Sequence, residues 1–369
     1  MIEYLFEFFS DYSWAANIIN LFSYVTFRAG LAFFCALLIM VIWGHKFLYF
    51  LYSKGLRDTS GDFISLSAFS KKGTPTAGGI SIVLITFVVA LLLCRFKHAS
   101  MYWTLIGFVY FGFVGFVDDI GKVRSKTSLG GLSQKSKTIF LLVFSVVFAL
   151  WFVSSHNSIF NEVNRTAFSI PFYKKLTQTV HPAIYFLFII FFIFSVSNSV
   201  NITDGQDGLL CGLSLITIGV YVLFAFIIGN MVLSAHYLYP YINGSAELVV
   251  FGATLMGAIV GFLWYNAFPA EVFMGDTGSL AIGGAISIIA IFIKQEILFL
   301  IVGGLFVFEI FTSLIQEKLG DRIGRRIFYR APYHHQLTHL GIGEPKATIR
   351  LFIIGLLLGA FAIITIKIR

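Results

Sequence analysis

The chain has 369 residues, of which 58% are hydrophobic and only 12% are charged. A soluble domain is roughly half apolar and about a quarter charged, so this composition excludes an ordinary soluble protein and favours one embedded in lipid. The net charge of +8 does not by itself indicate a nucleic-acid partner, because membrane proteins collect Lys and Arg in their cytoplasmic loops.

The predicted elements begin with a short amphipathic segment at residues 1–20, which is too acidic and aromatic for a cleavable signal peptide. Ten apolar stretches follow, most of them near the roughly 20 residues that a helix needs to cross the hydrocarbon core. They cover residues 21–43, 77–95, 101–117, 138–155, 183–203, 209–229, 248–268, 277–293, 297–315 and 349–367. The sequence therefore predicts an all-α integral membrane protein, with residues 1–369 forming one domain, a bundle of ten transmembrane helices.

The basic residues predict the orientation of this bundle. Of the 26 Lys and Arg residues, 17 flank the connections that follow odd-numbered spans. The positive-inside rule makes that face cytoplasmic. Both termini are then periplasmic, which agrees with an even number of spans. The long connection at 317–348 lies on the cytoplasmic face, where we expect it to act as a lid.

Five acids lie beside the ends of apolar stretches on that same face, and two histidines lie in the long connection there. The acids are Asp118 and Asp119, which close the third span, followed by Asp204, Asp207 and Asp276, and the histidines are His334 and His335. A single Asp in such a place is ordinarily a solvated loop charge. Five acids flush with apolar runs are harder to explain in that way, because acids at membrane depth are costly and usually functional. The set indicates one site at the cytoplasmic face.

The residue types at this site indicate phosphate chemistry. Carboxylate oxygens suit Mg²⁺, which takes few protein ligands and shares substrate phosphates. The neighbouring Lys and Arg side chains suit the phosphates themselves. Together they match metal-assisted phosphoryl transfer, in which catalysis is mostly positioning and charge neutralisation. Rings of acids also serve cation channels and transporters, so residue types alone leave those classes open.

Five sequence motifs resemble those of a known enzyme family. They are KKGTPTAGG at 71–79, FVDD at 116–119, NSVNITDGQDGL at 198–209, FMGDTGSL at 273–280 and APYHH at 331–335. In this order, they resemble the polyprenyl-phosphate N-acetylhexosamine-1-phosphate transferases. The last motif is similar to the signature of the phospho-N-acetylmuramoyl-pentapeptide transferase branch.

The resemblance implies a fold, a cofactor and two substrates. Members have ten membrane helices and use Mg²⁺. They move phospho-N-acetylmuramoyl-pentapeptide from UDP-N-acetylmuramoyl-pentapeptide to undecaprenyl phosphate, release UMP and form lipid I for peptidoglycan synthesis. The resemblance also implies a multi-pass protein of the bacterial inner (cytoplasmic) membrane, in contact with membrane lipids and not with nucleic acid. Because the family is often dimeric, a homodimer is consistent with it.

Individual residues take their expected roles from this resemblance. Asp118, Asp119 and Asp276 match the catalytic acids, with Asp118 as base or nucleophile, and Asp276 and Asp119 match the metal ligands. The other matched positions are expected substrate contacts: Lys71, Thr76, Lys122, Lys126, Asn198, Asn201, Asp204, Asp207, Phe273, His334 and His335. Among these, Lys71, Asp207 and Phe273 match positions that hold uracil.

Several alternatives stay open on the sequence. Asp276 precedes a helix and could serve as its N-cap. The basic, aromatic surroundings of His334 and His335 could attract anionic lipids. Gln336 stands where members commonly carry a third His, which keeps open a sister transferase that uses UDP-N-acetylglucosamine. A cation-coupled transporter would place its acids near the bilayer midplane, and a lipid-binding scaffold would not need five acids on a basic face.

Overall fold

The computed structural model describes residues 20–56, 73–125, 130–154, 165–173 and 179–367, and in these ranges the chain is helical apart from its connections. The helices are α1 (Val25–Ser53), α2 (Gly79–Leu93), α3 (Ala99–Ser125), α4 (Gln134–Ser154), α5 (Pro182–Ile202), α6 (Leu209–Ile228), α7 (Met231–His236), α8 (Ser245–Asn266), α9 (Gly275–Phe292), α10 (Phe299–Val302), α11 (Gly304–Leu314), α12 (Asp321–Ile323), α13 (Tyr333–His339) and α14 (Glu344–Ile364). A π-helical stretch, Ile315–Gly320, connects α11 to α12. The predicted amphipathic segment lies, except for its last residue, outside the described ranges.

Eight of the described helices are long and apolar enough to cross a membrane, which supports an all-α integral membrane protein. They are α1, α3, α4, α5, α6, α8, α9 and α14. The second predicted span corresponds to α2, which has 15 residues. The ninth, at 297–315, is divided at Gly303 between α10 and α11. The count of ten membrane crossings and the periplasmic termini therefore stay predictions.

The helix α9 runs through the centre of the bundle. Every residue from Thr277 to Phe292 is buried, and the helix packs on α3 and α5. Glycines allow this close approach. A Cβ atom at Gly283 would lie 2.8 Å from Ser197 Cα on α5. Membrane helices gain van der Waals contact where small residues let their backbones approach, because lipid supplies no hydrophobic force between them.

A row of glycines on α3 determines how it meets α9. A Cβ atom at Gly107 would lie 2.1 Å from Ile288 Cδ1, and one at Gly115 would lie 2.2 Å from the backbone oxygen of Asp276. Since the later residue of α3 contacts the earlier residue of α9, the two helices run antiparallel. The last turns of α3 therefore lie beside the first turn of α9.

Two local interpretations of the sequence differ from the structure. Asp118 and Asp119 do not lie at the end of their helix, because α3 continues to Ser125. Asp276 is not an N-cap, because α9 begins at Gly275 and the preceding Met274 is in the cap position, with no side-chain cap. The reason for the missing cap is tertiary, because the Asp119 carboxylate from α3 accepts the hydrogen bonds from the start of α9 that a local cap would otherwise accept.

A buried ion pair joins α1 to α8. The two terminal nitrogens of the Arg28 guanidinium donate to the two carboxylate oxygens of Glu247 at 2.7 and 2.6 Å. The backbone N–H of Arg95 also donates to Glu247, at 2.9 Å. A charge within a membrane bundle is costly unless it is paired. The pair therefore favours one packing of α1 against α8.

Candidate active site

Asp118 is buried in the last turns of α3, where its two carboxylate oxygens contact a backbone N–H and a lysine. Its Oδ1 accepts a hydrogen bond from the Leu132 backbone N–H at 2.7 Å. Its Oδ2 lies 2.7 Å from the Lys122 ammonium, one turn further along α3. Gly131 lies against the carboxylate, because a Cβ atom there would be 2.5 Å from Oδ1. The loop before α4 therefore holds Asp118 in one orientation.

Asp119, the next residue, turns instead to the first turn of α9. Its Oδ1 accepts from the Asp276 backbone N–H at 3.0 Å. Its Oδ2 accepts from both the backbone N–H and the hydroxyl of Thr277, at 3.0 and 2.6 Å. The first N–H groups of a helix have no partner inside it, and negative charge there complements the helix dipole. Asp119 thus caps α9 from a neighbouring helix.

The Asp276 carboxylate contacts two lysines and a side-chain amide. Its Oδ2 lies 2.9 Å from the Lys122 ammonium and 2.7 Å from that of Lys137, on α4. Its Oδ1 accepts from the Asn201 side-chain amide at 2.9 Å. That amide also donates to Ser279 on α9, at 2.8 Å. Asp276 therefore connects the ends of α3, α4 and α5.

Asp204 borders the same group from the loop between α5 and α6. Its carboxyl accepts a hydrogen bond from the Gly275 backbone N–H. Burial raises the pKa of Asp204 to about 7, and the negative charges of Asp276 and Asp119 add to the rise. Acids this close cannot all ionise without cost unless a cation joins them.

Three of these carboxylates lie close enough to share one metal ion. One oxygen each of Asp118, Asp119 and Asp276 lies within 4.8 Å of the others. Counted with Asp204, four carboxyl groups lie beside two lysine ammonium groups among the described residues, so ionisation of all four carboxyls exceeds this positive charge. Carboxylate oxygens are the ligands that Mg²⁺ prefers. These residues therefore fit a divalent cation, and Asp118 joins the two predicted ligands.

Three of the predicted substrate contacts, Asn201, Lys122 and Asp204, lie at the acid cluster. Lys122 bridges Asp118 and Asp276, and Asn201 donates to Asp276. Asn198 lies one turn earlier on α5, and its amide donates to the backbone oxygen of Phe194 at 2.8 Å. Lys71 and Lys126 lie outside the described residues.

Thr76, Phe273 and Asp207 lie on segments that surround the start of α9. The Phe273 backbone N–H donates to the Pro75 oxygen at 2.9 Å, and the Gly78 N–H donates back to the Phe273 oxygen at 2.9 Å. This pairing places Thr76 beside the segment that leads into α9. The buried Asp207 carboxylate accepts from the Ala270 N–H at 3.1 Å, which attaches the α5–α6 loop to that segment.

The two predicted histidines lie on α13, within the predicted lid. His334 is fully buried, while His335 is half-buried, and their ring centroids are 4.3 Å apart. The His334 ring lies against Gly205, because a Cβ atom there would be 2.0 Å from Nε2. The side-chain oxygen of Gln336 accepts the Arg330 backbone N–H at 2.9 Å. In this chain Gln336 therefore stabilises the turn before α13.

Sequence reasoning missed three residues at or near the site. Lys137 was counted only among the basic residues that orient the bundle, because sequence does not show that it faces Asp276 while Lys135 is exposed. Thr277 stands inside a recognised motif without an expected role. Glu309 is a single acid within an apolar span, which is itself a recognised signal of function.

Comparison with known proteins identifies the family. Residues 101–294, which contain all four acids of the cluster, match glycosyl transferase family 4. The chain is 40% identical over 351 residues to the phospho-N-acetylmuramoyl-pentapeptide-transferase of Desulfotalea psychrophila, covering 95% of this chain and 96% of that one. It is 40% identical over 373 residues to that of Geobacter sp. strain M21, covering 99% of each.

A third relative, from Rickettsia bellii, has the same name and is 37% identical over 371 residues, covering 99% of this chain and 100% of that one. These matches extend over nearly the whole of both chains, and they confirm the resemblance of the motifs. The chain therefore belongs to the phospho-N-acetylmuramoyl-pentapeptide-transferases within glycosyl transferase family 4 and is a phosphosugar transferase.

Proposed function

We propose that this enzyme catalyses the Mg²⁺-dependent transfer of phospho-N-acetylmuramoyl-pentapeptide from UDP-N-acetylmuramoyl-pentapeptide to undecaprenyl phosphate. UMP is released, and the product is lipid I, the first lipid-linked intermediate of peptidoglycan synthesis. One structural observation carries the proposal. Oxygens of Asp118, Asp119 and Asp276, from two different helices, come within 4.8 Å of one another beside two lysines. This is the charge arrangement that a metal-bound diphosphate requires.

The carboxylates of Asp118, Asp119 and Asp276 would hold the Mg²⁺. When bound, the metal would neutralise the charge that develops on the diphosphate. Asp119 already accepts three hydrogen bonds from α9, so it also holds the helix that carries Asp276. This second task gives Asp119 a different role from that of Asp118, although the two are adjacent.

Lys122 and Lys137 supply positive charge for the donor phosphates. Both ammonium groups contact Asp276 Oδ2, and Lys137 also lies 3.4 Å from the Asn201 side-chain oxygen. A lysine ammonium binds phosphate as a compact point charge with three donors. The same two groups that balance Asp276 can therefore bind the diphosphate and orient it.

The chemical step exchanges one phosphoanhydride bond for another. An oxygen of the lipid phosphate forms a bond to the phosphorus next to the sugar, the bond from that phosphorus to the bridging oxygen breaks, and UMP leaves. A phosphate monoester has a second pKa near 6, so the acceptor is largely ionised at neutral pH. Asp118 then needs only to remove a residual proton or to orient the attack.

The alternative is a covalent route through Asp118. Its carboxylate would attack the same phosphorus, release UMP and form a phospho-sugar enzyme that the lipid phosphate then resolves. Asp118→Asn would abolish turnover by either route. Incubation with donor alone separates them, because only the covalent route releases UMP and labels the protein before acceptor is added.

The placement of the site suits both substrates. We assign the acid cluster to the cytoplasmic face of the bacterial cytoplasmic membrane, because the acids lie at the ends of membrane helices on the more basic side. A site at the membrane edge receives a soluble donor from water and a lipid acceptor from between helices. Labelling a cysteine introduced at Lys135, in a variant lacking the native cysteines, with membrane-impermeant reagents from each side tests this orientation.

The function is tested by UMP release from purified protein with Mg²⁺ and undecaprenyl phosphate. UDP-N-acetylmuramoyl-pentapeptide and UDP-N-acetylglucosamine are compared as donors. We expect release from the muramoyl donor only, with loss of release on chelation and in Asp276→Ala. Release from the N-acetylglucosamine donor alone would assign the chain a different substrate. No release from either donor, in protein shown to be folded, would refute the proposed reaction.

A further inference from the structure

Glu309 is a buried acid on α11, in the apolar sequence GLFVFEIFTSL. Only 1% of its surface is exposed. An acid in such a position is costly unless it is paired or hydrogen-bonded. Glu309 is not part of the acid cluster described above, so the presence of a buried acid at this position requires another explanation.

The partner of Glu309 is His334. The two carboxylate oxygens lie 3.2 and 3.3 Å from the His334 backbone nitrogen, which donates to them. Its Oε2 also lies 3.2 Å from His334 Nδ1, within ion-pair distance. Glu309 therefore binds the main chain of His334 and lies against its ring, on a helix whose first residues have no local side-chain cap.

The opposite side of His334 contacts the loop that carries Asp204. The imidazole lies where a side chain at Gly205 would be, with Nε2 2.0 Å from the position of a Cβ atom. The Gln206 amide donates to the His334 backbone oxygen at 3.0 Å. Gln206 in turn accepts from Thr348 on α14 at 3.3 Å. The histidine is thus held between Glu309 and the α5–α6 loop.

We infer that Glu309 is a positioning residue for the transfer reaction, acting through His334 on the loop that holds Asp204 beside the acid cluster. The Glu309 carboxylate lies against one side of the His334 ring, and Gly205 lies against the other, so the position of the ring determines the position of Gly205. Asp204, the residue before Gly205, accepts from the first backbone N–H of α9 and lies close to Asp276. This inference rests on the proposed transferase reaction.

The first test is a double-variant cycle on turnover. Glu309→Gln keeps the size and one acceptor oxygen but removes the charge beside Nδ1. We expect roughly a tenfold fall in kcat with little change in the KM for the donor, because the loop is misplaced rather than a substrate contact removed. The kcat of His334→Asn should fall by a similar factor. If Glu309 acts through His334, the kcat of the double variant falls no further than that of His334→Asn alone. Independent roles would multiply the two losses in kcat.

Glu317→Gln is the matched control. Glu317 lies eight residues further along, in the π-helical stretch, with an exposed side chain. Its replacement should leave kcat and KM unchanged. A Glu309→Gln variant with wild-type turnover, or a double variant that multiplies the losses, would overturn the inference.

The second test does not depend on activity. Nitrogen-15 NMR of ring-labelled histidine, with the His334 signals assigned by their loss in His334→Asn, reports the state of both ring nitrogens. We expect Glu309→Gln to shift the His334 signals and Glu317→Gln to leave them unchanged. Unshifted signals would refute the pairing. If the wild-type protein releases no UMP, the proposed reaction fails, and the ring signals still decide whether Glu309 positions His334.

Discussion

The hydroxyl of Thr277 donates a 2.6 Å hydrogen bond to Asp119, which ties the first turn of α9 to α3. Because the Thr277 backbone N–H reaches the same oxygen at 3.0 Å, this carboxylate is held by two donors from one residue. The connection sets the separation between Asp118, on α3, and Asp276, on α9. The spacing of the acid cluster therefore depends on how two helices pack.

Gly115→Ala is expected to abolish transfer by separating α3 from α9. The added Cβ atom would lie 2.2 Å from the Asp276 backbone oxygen, so the helices must move apart. We expect a loss of at least about 100-fold in UMP release, since overpacking of this kind costs about 1–3 kcal/mol and also displaces Asp276. Gly30→Ala on α1 is the control, because no atom of the described residues lies within 4 Å of its Cβ position. Equal activity of the two variants would contradict this account of the packing.

Lys137→Ala is expected to lower kcat/KM by about 10- to 100-fold, the usual range for losing a hydrogen bond to a charged group. Its ammonium lies 2.7 Å from Asp276, and we assign it to the donor diphosphate. Lys135→Ala is the matched control, because Lys135 lies two residues earlier on the same helix with an exposed side chain. Steady-state kinetics at varied donor concentration compare the two. Similar losses in both variants would mean that general positive charge, not the position of Lys137, matters.

Asp204→Asn should stabilise the metal-free protein more at pH 8 than at pH 5. The folded protein keeps a proton on Asp204 up to about pH 7, whereas the unfolded chain releases it near the ordinary value of 3.8. The free energy of unfolding of the wild-type protein therefore falls as pH rises between these values. The full destabilisation by the Asp204 charge is present above pH 7. We expect the melting temperature of the variant to exceed that of wild type by about 2–4 °C more at pH 8. Glu317→Gln controls for a general change in charge, and an equal gain at both pH values would exclude this cause.

Gln336→His should leave UMP release within about threefold of wild type. Gln336 acts here as a hydrogen-bond acceptor for the Arg330 N–H, and a neutral imidazole nitrogen can accept in the same way. Gln336→Leu has a similar size but no acceptor, so we expect a larger loss, because the Arg330 N–H loses its hydrogen-bond partner in the turn before α13. If Gln336→Leu also stays near wild type, the bond to Arg330 does not support the site.

The all-helical membrane class and the enzyme family were predictable from the sequence, and both were confirmed. The individual membrane helices were mostly recognisable, but their ends were not. The third predicted span stopped at 117 because Asp118 and Asp119 are charged, yet α3 continues to Ser125 because Lys122 and α9 compensate those charges. A sequence window contains no information on such partners.

The candidate site was likewise predictable from the sequence only in part. That Asp118, Asp119 and Asp276 belong together was predicted from their motifs and from the face on which we expect their spans to end. That Asp119 caps α9 while Asp118 faces Lys122 was not, because adjacent residues on a helix point about 100° apart and only packing decides what each one meets.

By itself, the sequence determined the membrane class, the family and the inventory of acids, because these depend on composition, on the lengths of apolar runs and on the order of motifs along the chain. Only the tertiary structure decided that Lys137 rather than Lys135 faces Asp276, and that Glu309 pairs with His334. These contacts join residues 139 and 25 positions apart. Such contacts depend on which faces of the helices meet, and close packing at glycines such as Gly115 determines those faces.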